Sequence, residues 1–214
     1  MESINCKDKL TQIYFYLSPA CLLGGILYNS DMIEDIFKIG IYYYDLDIDT
    51  KSYVDFCYDI QKKDKGRTIS NEGGYQSFNL DPYNKLMQNL IHDINPHVNE
   101  YAKHLSDIPV KFSNMWVNIN GHRDYNIPHN HPKSLISGAL YLQAPEDCGD
   151  IVFYHPADNL IEAYFGTAGV RTSEYGYLRY WYPAKVNRMY IFPSWLSHSV
   201  ESNNNKEKRI CNVF

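Results

Sequence analysis

Positively charged residues are fewer than negatively charged ones in this sequence of 214 residues. It carries 20 Lys and Arg against 25 Asp and Glu, which leaves a formal net charge of −5. Proteins that bind DNA or RNA usually present clustered cations to the phosphate backbone. The composition therefore argues against nucleic acid as a partner.

Cysteine is also scarce, and the few thiols are far apart. The five cysteines lie at positions 6, 21, 57, 148 and 211, an odd number without a C-x-x-C pair. Widely spaced cysteines are typical of reduced thiols in a reducing compartment. We expect free cysteines and a cytoplasmic location.

No apolar run is long enough for a membrane span. The longest candidate, residues 13–28, is interrupted by Ser18-Pro19 and again by Gly24-Gly25. A spanning helix needs roughly 20 consecutive apolar residues, and a signal peptide needs a positively charged leader, which is missing here. We interpret residues 1–35 as a packed N-terminal extension and expect no membrane partner.

Residues 36–214 are predicted to form a single domain with a helical part at 49–105. One helix is expected from Asp49 or Thr50 to about Gln61. A second is expected from Asp81-Pro82, a capping residue followed by proline, and its apolar residues recur every three to four positions as far as Leu105. Pro96 should kink this helix or split it in two.

Short strands dominate the remainder. After a first strand at 38–46, β candidates fill the predicted barrel core at 110–214, namely 112–120, 136–143, 150–155, 189–193, 196–201 and 209–214. This order predicts an α+β protein with an antiparallel barrel or jelly roll and helices packed outside. Residues 156–182 are predicted to be a long loop at the barrel mouth that serves as a lid or partner surface.

Three histidines are placed so that they can share one metal ion. In an extended strand, His129 and His131 leave the backbone on the same side. His198 follows in a second extended segment, and Arg209 opens the terminal strand. An alternative interpretation puts the two paired histidines in a proline turn and makes Arg209 the end of the charged run 206–209. The ordered conjunction favours a metal site.

The chemistry of such a site would suit iron. Octahedral Fe(II) held on one face by three protein ligands keeps three positions open, enough for a bidentate 2-oxo acid and O2. An arginine fork matches the far carboxylate of that acid. A competing ligand pair is His122 with Asp124, a literal H-x-D, but it follows the turn signal Asn120-Gly121 and is expected on a loop.

Several further motifs accompany these residues in order along the chain. They are SNEGGYQS at 70–77, WVN at 116–118, SGALYL at 137–142, GDIVF at 149–153 and FPSWLSHSV at 192–200. With the paired histidines and the closing arginine strand, they make residues 36–214 resemble the 2-oxoglutarate- and Fe(II)-dependent oxygenases of marine bacteria and phages.

The resemblance implies a double-stranded β-helix of the jelly-roll or cupin type that uses Fe(II), 2-oxoglutarate and O2. The expected reaction is hydroxylation of an amino acid, a peptidyl residue or a small metabolite, with release of succinate and CO2. Expected metal ligands are His129, His131 and His198. Arg209, with Asn118 and Tyr141, is expected to bind the cosubstrate, although Asn118 could satisfy a turn and Tyr141 could be core.

Two positions depart from the family pattern. His131 stands where the superfamily usually has Asp or Glu, and Asn187 replaces a glycine, although Asn tolerates a left-handed turn nearly as well. Two alternatives stay open: a three-histidine dioxygenase that needs no 2-oxoglutarate, and a non-catalytic cupin-like metal-binding module. Arg209 favours the cosubstrate. Self-association as a homodimer also stays open.

Overall fold

The computed structural model describes residues 37–105, 107, 109–169 and 177–214. Within these, Ile39–Phe214 belong to one compact unit. The N-terminal extension expected at 1–35 lies outside the described residues, and the domain boundary at 35/36 stays a prediction. None of the helices in the described part of the chain is both long and apolar enough to cross a lipid bilayer.

Two antiparallel sheets form the body of this unit. The strands are β1 Tyr42–Asp45, β2 Asn71–Glu72, β3 Tyr75–Gln76, β4 Trp116–Asn120, β5 Tyr125–His129, β6 Ile136–Gln143, β7 Ile151–Tyr154, β8 Arg179–Tyr182, β9 Arg188–Pro193, β10 His198–Val200 and β11 Arg209–Val213. The larger sheet has the strand order β1-β9-β6-β11-β4-β3 and the smaller one β2-β5-β10-β7-β8. The predicted strands are present, most of them one to four residues shorter than expected.

Two helices cover the outer face of the larger sheet, as predicted. Helix α1 spans Thr50–Lys63 and α2 spans Lys85–Ala102. The Asp49 side chain accepts a hydrogen bond from the backbone N–H of Lys51 and so caps α1. Buried residues of both helices share one apolar cluster with outward-facing residues of β4, β6, β9 and β11; it includes Cys57, Leu90, Ile94, Val117, Ile119, Leu140, Met189, Ile191 and Ile210.

The prediction for the start of the second helix was wrong by one turn. Asp81 accepts from the N–H of Tyr83 in a preceding turn, whereas the Asn84 side chain accepts from Leu86 and Met87 and caps α2. The predicted split at Pro96 is also absent, since α2 runs through this residue. Buried Leu90 and Ile94 before Pro96 and Tyr101 after it anchor both halves in the core.

The interval 156–182 is not a plain loop, which corrects another prediction. It contains helix α3, Asp158–Gly169, and strand β8, which pairs with β7 at the edge of the smaller sheet. Three of its aromatic residues, Tyr180, Trp181 and Tyr182, belong to that strand, where Tyr182 lies opposite Ile151 and makes an edge-to-face contact with Phe153. Aromatic residues favour strands, and the pairing supplies the backbone partners that a loop would lack.

Candidate metal centre

Histidines from the two neighbouring strands β5 and β10 of the smaller sheet converge between the sheets. His129 ends β5 and lies directly opposite His198, the first residue of β10. His131 follows two residues beyond the end of β5, where its backbone N–H donates to the carbonyl of Ser194 over 2.9 Å. One ligand atom from each of the three imidazoles lies within 4.8 Å of the others.

Hydrogen bonds orient two of these rings. The Nδ1 atom of His129 lies 2.7 Å from the carbonyl oxygen of Ile127, and that of His198 lies 3.0 Å from the carbonyl oxygen of Leu196. A carbonyl can only accept, so both Nδ1 atoms carry the proton and both Nε2 atoms keep a free lone pair. Among the described residues, the buried Nε2 of His131 has no hydrogen-bond partner. The donor set therefore fits a metal ion.

The environment keeps all three imidazoles neutral. Burial lowers the pKa of His129 and lowers that of His198 well below the ordinary value of 6.5. Burial and the neighbouring His129 lower the pKa of His131 to about 4. Because only the neutral ring coordinates metals, the site is ready to bind an ion at neutral pH.

Arg209 reaches the same cavity from the opposite sheet. It is buried on β11, and its Nη1 donates to the backbone carbonyls of Cys148 and Glu201, the latter over 2.9 Å. Its buried Nη2 finds no partner within the described chain. The cavity is lined by Arg209 together with the three histidines. Carbonyls hold one side of the guanidinium, which leaves N–H donors for a carboxylate.

Asn118 and Tyr141 also line this cavity. Each lies opposite Cys211 on one side of β11, so the three residues form a row across the larger sheet. The Oδ1 atom of Asn118 is buried, and the described residues offer it no hydrogen-bond partner. Burial raises the pKa of Tyr141 well above 10.0, so its hydroxyl stays protonated. Both side chains can therefore contact a polar ligand.

The competing pair His122 and Asp124 lies elsewhere. Arg123 between them has a positive φ of 69°, and the Asp124 carboxylate accepts from the N–H of Gly121 over 2.7 Å. The pair therefore occupies a turn, as expected. Within the described residues, the group of potential metal ligands that the fold assembles has three histidines and no carboxylate. Asn187 adopts the left-handed conformation expected of it, with φ 68°.

Two residues near the cavity, Trp116 and Arg67, have no role assigned by the sequence motifs. The ring of Trp116 lies 5.4 Å from that of His131, and the Arg67 guanidinium lies 5.9 Å from the Trp116 ring centre. Residues 70–77 were singled out as a motif, but their position depends on pairing between β3 and β4, more than 40 residues apart in sequence. Residues 66–80 were expected to help determine substrate specificity, but no local pattern reveals such a pairing, so Arg67 itself received no role.

Residues 114–214, which carry the three histidines and Arg209, match the sequence model of a family described as "Putative 2OG-Fe(II) oxygenase". The match confirms the resemblance drawn from the motifs. A comparison with curated proteins gives no match.

Solved structures of such oxygenases share the fold. A prolyl-4-hydroxylase of Pseudomonas putida has a TM-score of 0.58 at 10% identity, covering 82% of this chain and 90% of that one. The α-ketoglutarate dependent epimerase SnoN from nogalamycin biosynthesis has 0.59 at 14%, covering 82% and 77%. A viral collagen prolyl hydroxylase from Paramecium Bursaria Chlorella virus-1, in complex with 2OG, has 0.54 at 15%, covering 81% and 93%. These likenesses confirm the double-stranded β-helix.

The family match, the fold and the histidine cluster define the class of the protein: it is a 2-oxoglutarate- and Fe(II)-dependent oxygenase. Its cofactor is therefore iron, and 2-oxoglutarate and O2 are its cosubstrates. The group of potential metal ligands in the described residues consists of three histidines, whereas the usual set is two histidines and one carboxylate.

Proposed function

We propose that His129, His131 and His198 are the three iron ligands and that Arg209 binds the far carboxylate of 2-oxoglutarate. The observation that carries this proposal is the shared cavity, in which three neutral imidazoles with free nitrogen lone pairs face a buried arginine with an unused N–H group among the described residues. The imidazoles suit Fe(II), and the guanidinium suits a carboxylate.

Replacement of a carboxylate by His131 changes the charge of the site. Three neutral ligands leave the full double positive charge of the metal uncompensated by protein, whereas a carboxylate would remove one unit. The cavity is therefore more attractive to a dianionic 2-oxo acid. When bound, Fe(II), 2-oxoglutarate and O2 supply the oxidising power for C–H hydroxylation. The residues of this chain orient the cosubstrate and exclude water.

Asn118 and Tyr141 are proposed as neutral partners of the cosubstrate. Their positions in one row with Cys211 bring an amide and a phenol to the wall of the cavity that Arg209 and the histidines also line. Tyr141 keeps its proton because burial raises the pKa of the hydroxyl, so it can donate to a carboxylate oxygen. Replacement of Tyr141 by Phe should weaken 2-oxoglutarate binding without releasing the metal.

The substrate is proposed to be a small molecule or a peptidyl residue, taken up at the Trp116 side of the cavity. Enzymes with a similar fold include a prolyl-4-hydroxylase and an epimerase from nogalamycin biosynthesis. Trp116 supplies an apolar wall next to His131, where a C–H bond can approach the metal without water.

Anaerobic absorption spectroscopy tests the proposal. Addition of Fe(II) and then 2-oxoglutarate to the protein should produce a metal-to-ligand charge-transfer band, because only a chelated 2-oxo acid gives it. Metal binding without the band would favour the three-histidine dioxygenase or the cupin-like module. The Arg209→Gln variant should bind iron but require far more 2-oxoglutarate for the same band.

Two further expectations are part of the proposal. A cytoplasmic location accords with Cys57, Cys148 and Cys211, which are buried and free. Homodimerisation is tested by light scattering of the purified protein, for which a mass of twice 25.0 kDa is the positive result.

A further inference from the structure

A row of side chains continues the cavity wall outward beyond Asn118. In the β3–β4 pair, Gln76 lies opposite Asn118, and residue 67 forms an isolated antiparallel bridge with Gln76. Residues directly opposite each other in antiparallel strands point to the same face of the sheet. Gln76 therefore points to the same face of the sheet as Asn118, and Arg67 lies over the ring of Trp116, which lines the cavity. Arg67 and Gln76 themselves line a neighbouring surface pocket.

Two polar atoms in this row have no hydrogen-bond partner among the described residues. Gln76 is only 4% exposed, yet its Oε1 has no hydrogen-bond partner among the described residues. The buried Nε of Arg67 is likewise unpaired within that part of the chain. Elsewhere the same guanidinium donates to the Oδ1 of Asn79 over 3.2 Å, which fixes its orientation. Unpaired buried polar atoms are costly, and a bound ligand is one explanation for keeping them.

Trp116 connects this polar pair to the proposed metal position. Its ring has the Arg67 guanidinium 5.9 Å from the ring centre and the His131 imidazole at 5.4 Å. Contact with the aromatic ring further stabilises the arginine cation. A ligand held by Arg67 therefore lies on the other side of the Trp116 indole from His131, and its side chain would have to extend past this ring to reach the metal ligands.

The chemistry of the pair selects the ligand. Arg67 offers a charged N–H donor, and the adjacent Gln76 offers a bare amide oxygen. A carboxylate next to an ammonium group satisfies both atoms at once. From this geometry we infer that Arg67 and Gln76 bind the head group of a free α-amino acid substrate, whose side chain extends past Trp116 to the metal. The inference rests on the proposed function and narrows its substrate class.

An internal peptide residue would fit this pair less well. It would place a neutral carbonyl against the Arg67 cation, and it has no ammonium for the Gln76 oxygen. Charge-assisted hydrogen bonds are roughly twice as strong as neutral ones, so the free amino acid gains more from both contacts. The oxidised carbon would belong to the amino-acid side chain, because the head group is held at the mouth.

Binding measurements test the inference with defined probes. The twenty standard L-amino acids are added singly to the anaerobic protein with Fe(II) and 2-oxoglutarate, and changes in the charge-transfer band and the heat of binding are recorded in parallel. At least one amino acid should bind. Its N-acetyl form and its methyl ester should each bind at least about tenfold more weakly, because each removes one charged contact.

Variants locate the binding site. Arg67→Gln should weaken binding of that amino acid at least about tenfold, and Gln76→Met should weaken it by a smaller factor, with the Fe(II)–2-oxoglutarate band retained in both. Lys65→Gln is the matched control, since it removes an exposed cation two residues away, and it should leave binding unchanged.

The outcomes separate this inference from the proposed function. A normal band with no amino acid binding, or blocked derivatives that bind equally well, would overturn the amino-acid assignment alone. Equal losses in Lys65→Gln and Arg67→Gln would overturn the role of Arg67. Heat of amino acid binding that depends on Arg67 in the absence of any band would support the head-group site and overturn the 2-oxoglutarate proposal.

Discussion

The two faces of the larger sheet differ in what they bury. On strand β4, Val117 and Ile119 face the helices and are 0% and 1% exposed, within a cluster of apolar side chains. Asn118 and Asn120 alternate with them and face the cavity. The same alternation on β11 sends Ile210 to the helices and Arg209 to the cavity.

Within a single strand, the residues on the helix face therefore stabilise the fold, and the residues that alternate with them face the ligand cavity. Apolar burial on the helix face contributes about 25 cal/mol per Å² and needs no partner atoms. The cavity face instead keeps the buried Arg209 Nη2 and Asn118 Oδ1 without partners in the described chain. The buried His131 Nε2, which enters the cavity from the smaller sheet, is likewise unpaired there. Buried polar atoms without partners lower the stability of the fold. Apolar burial on the helix face offsets this loss.

The largest effect should come from removing a metal ligand. His131→Ala should strongly weaken iron binding, because two imidazoles cannot hold the ion as three can. His131→Asp should keep iron and 2-oxoglutarate binding, since it restores the two-histidine, one-carboxylate set. Metal content after identical reconstitution is the measurement. Asp124→Ala is the control, and loss of iron in that variant instead would assign the metal to the His122 turn.

A substitution on the helix face should have the opposite pattern. Leu140 is 0% exposed in the apolar cluster, so Leu140→Ala should lower the free energy of unfolding by about 2–5 kcal/mol through lost burial and a cavity. Urea unfolding measures this loss. Iron content per folded protein should be unchanged, and a variant that also lost iron affinity would show that the two faces are coupled.

Part of this division between a helix face and a cavity face could be predicted from the sequence. The pattern of residues 136–143 and 209–214 indicates strands, and the paired histidines with Arg209 indicate a site, because both signals are local in sequence. The row of Arg67, Gln76 and Asn118 was not predictable, since it depends on registers between strands far apart in sequence. Strand β8 was not predicted, because its aromatic residues lie within the long interval 156–182, which was predicted to be a loop.

Cosubstrate binding should respond to Arg209 more than iron binding does. Arg209→Lys keeps the charge but loses the fork, so 2-oxoglutarate affinity should fall by about tenfold to a hundredfold. Titration of the charge-transfer band measures this affinity. Iron affinity should change by less than about twofold, because Arg209 lies on β11 and contacts the carbonyls of Cys148 and Glu201. Equal losses of both ligands would place Arg209 outside the cosubstrate pocket.

The smallest effect should be a pH dependence of stability that arises in the cavity and not in the apolar cluster. The metal-free protein holds His131 with a pKa of about 4, against about 6.5 when unfolded. The unfolded chain therefore takes up protons first, and stability that is complete above pH 6.5 is lost as the pH falls towards 4. His131 is only partly buried, so we expect a loss of roughly 1–2 kcal/mol from this residue. Urea unfolding of the metal-free protein at pH 7.5 and 4.5 measures it.

The loss should be smaller in His131→Gln, which cannot titrate, and unchanged in Leu140→Ala, whose lower stability should be independent of pH. An identical acid loss in His131→Gln and the parent protein would mean that His129, His198 or carboxylates elsewhere carry the effect, and that His131 is less desolvated than its place beside Trp116 implies.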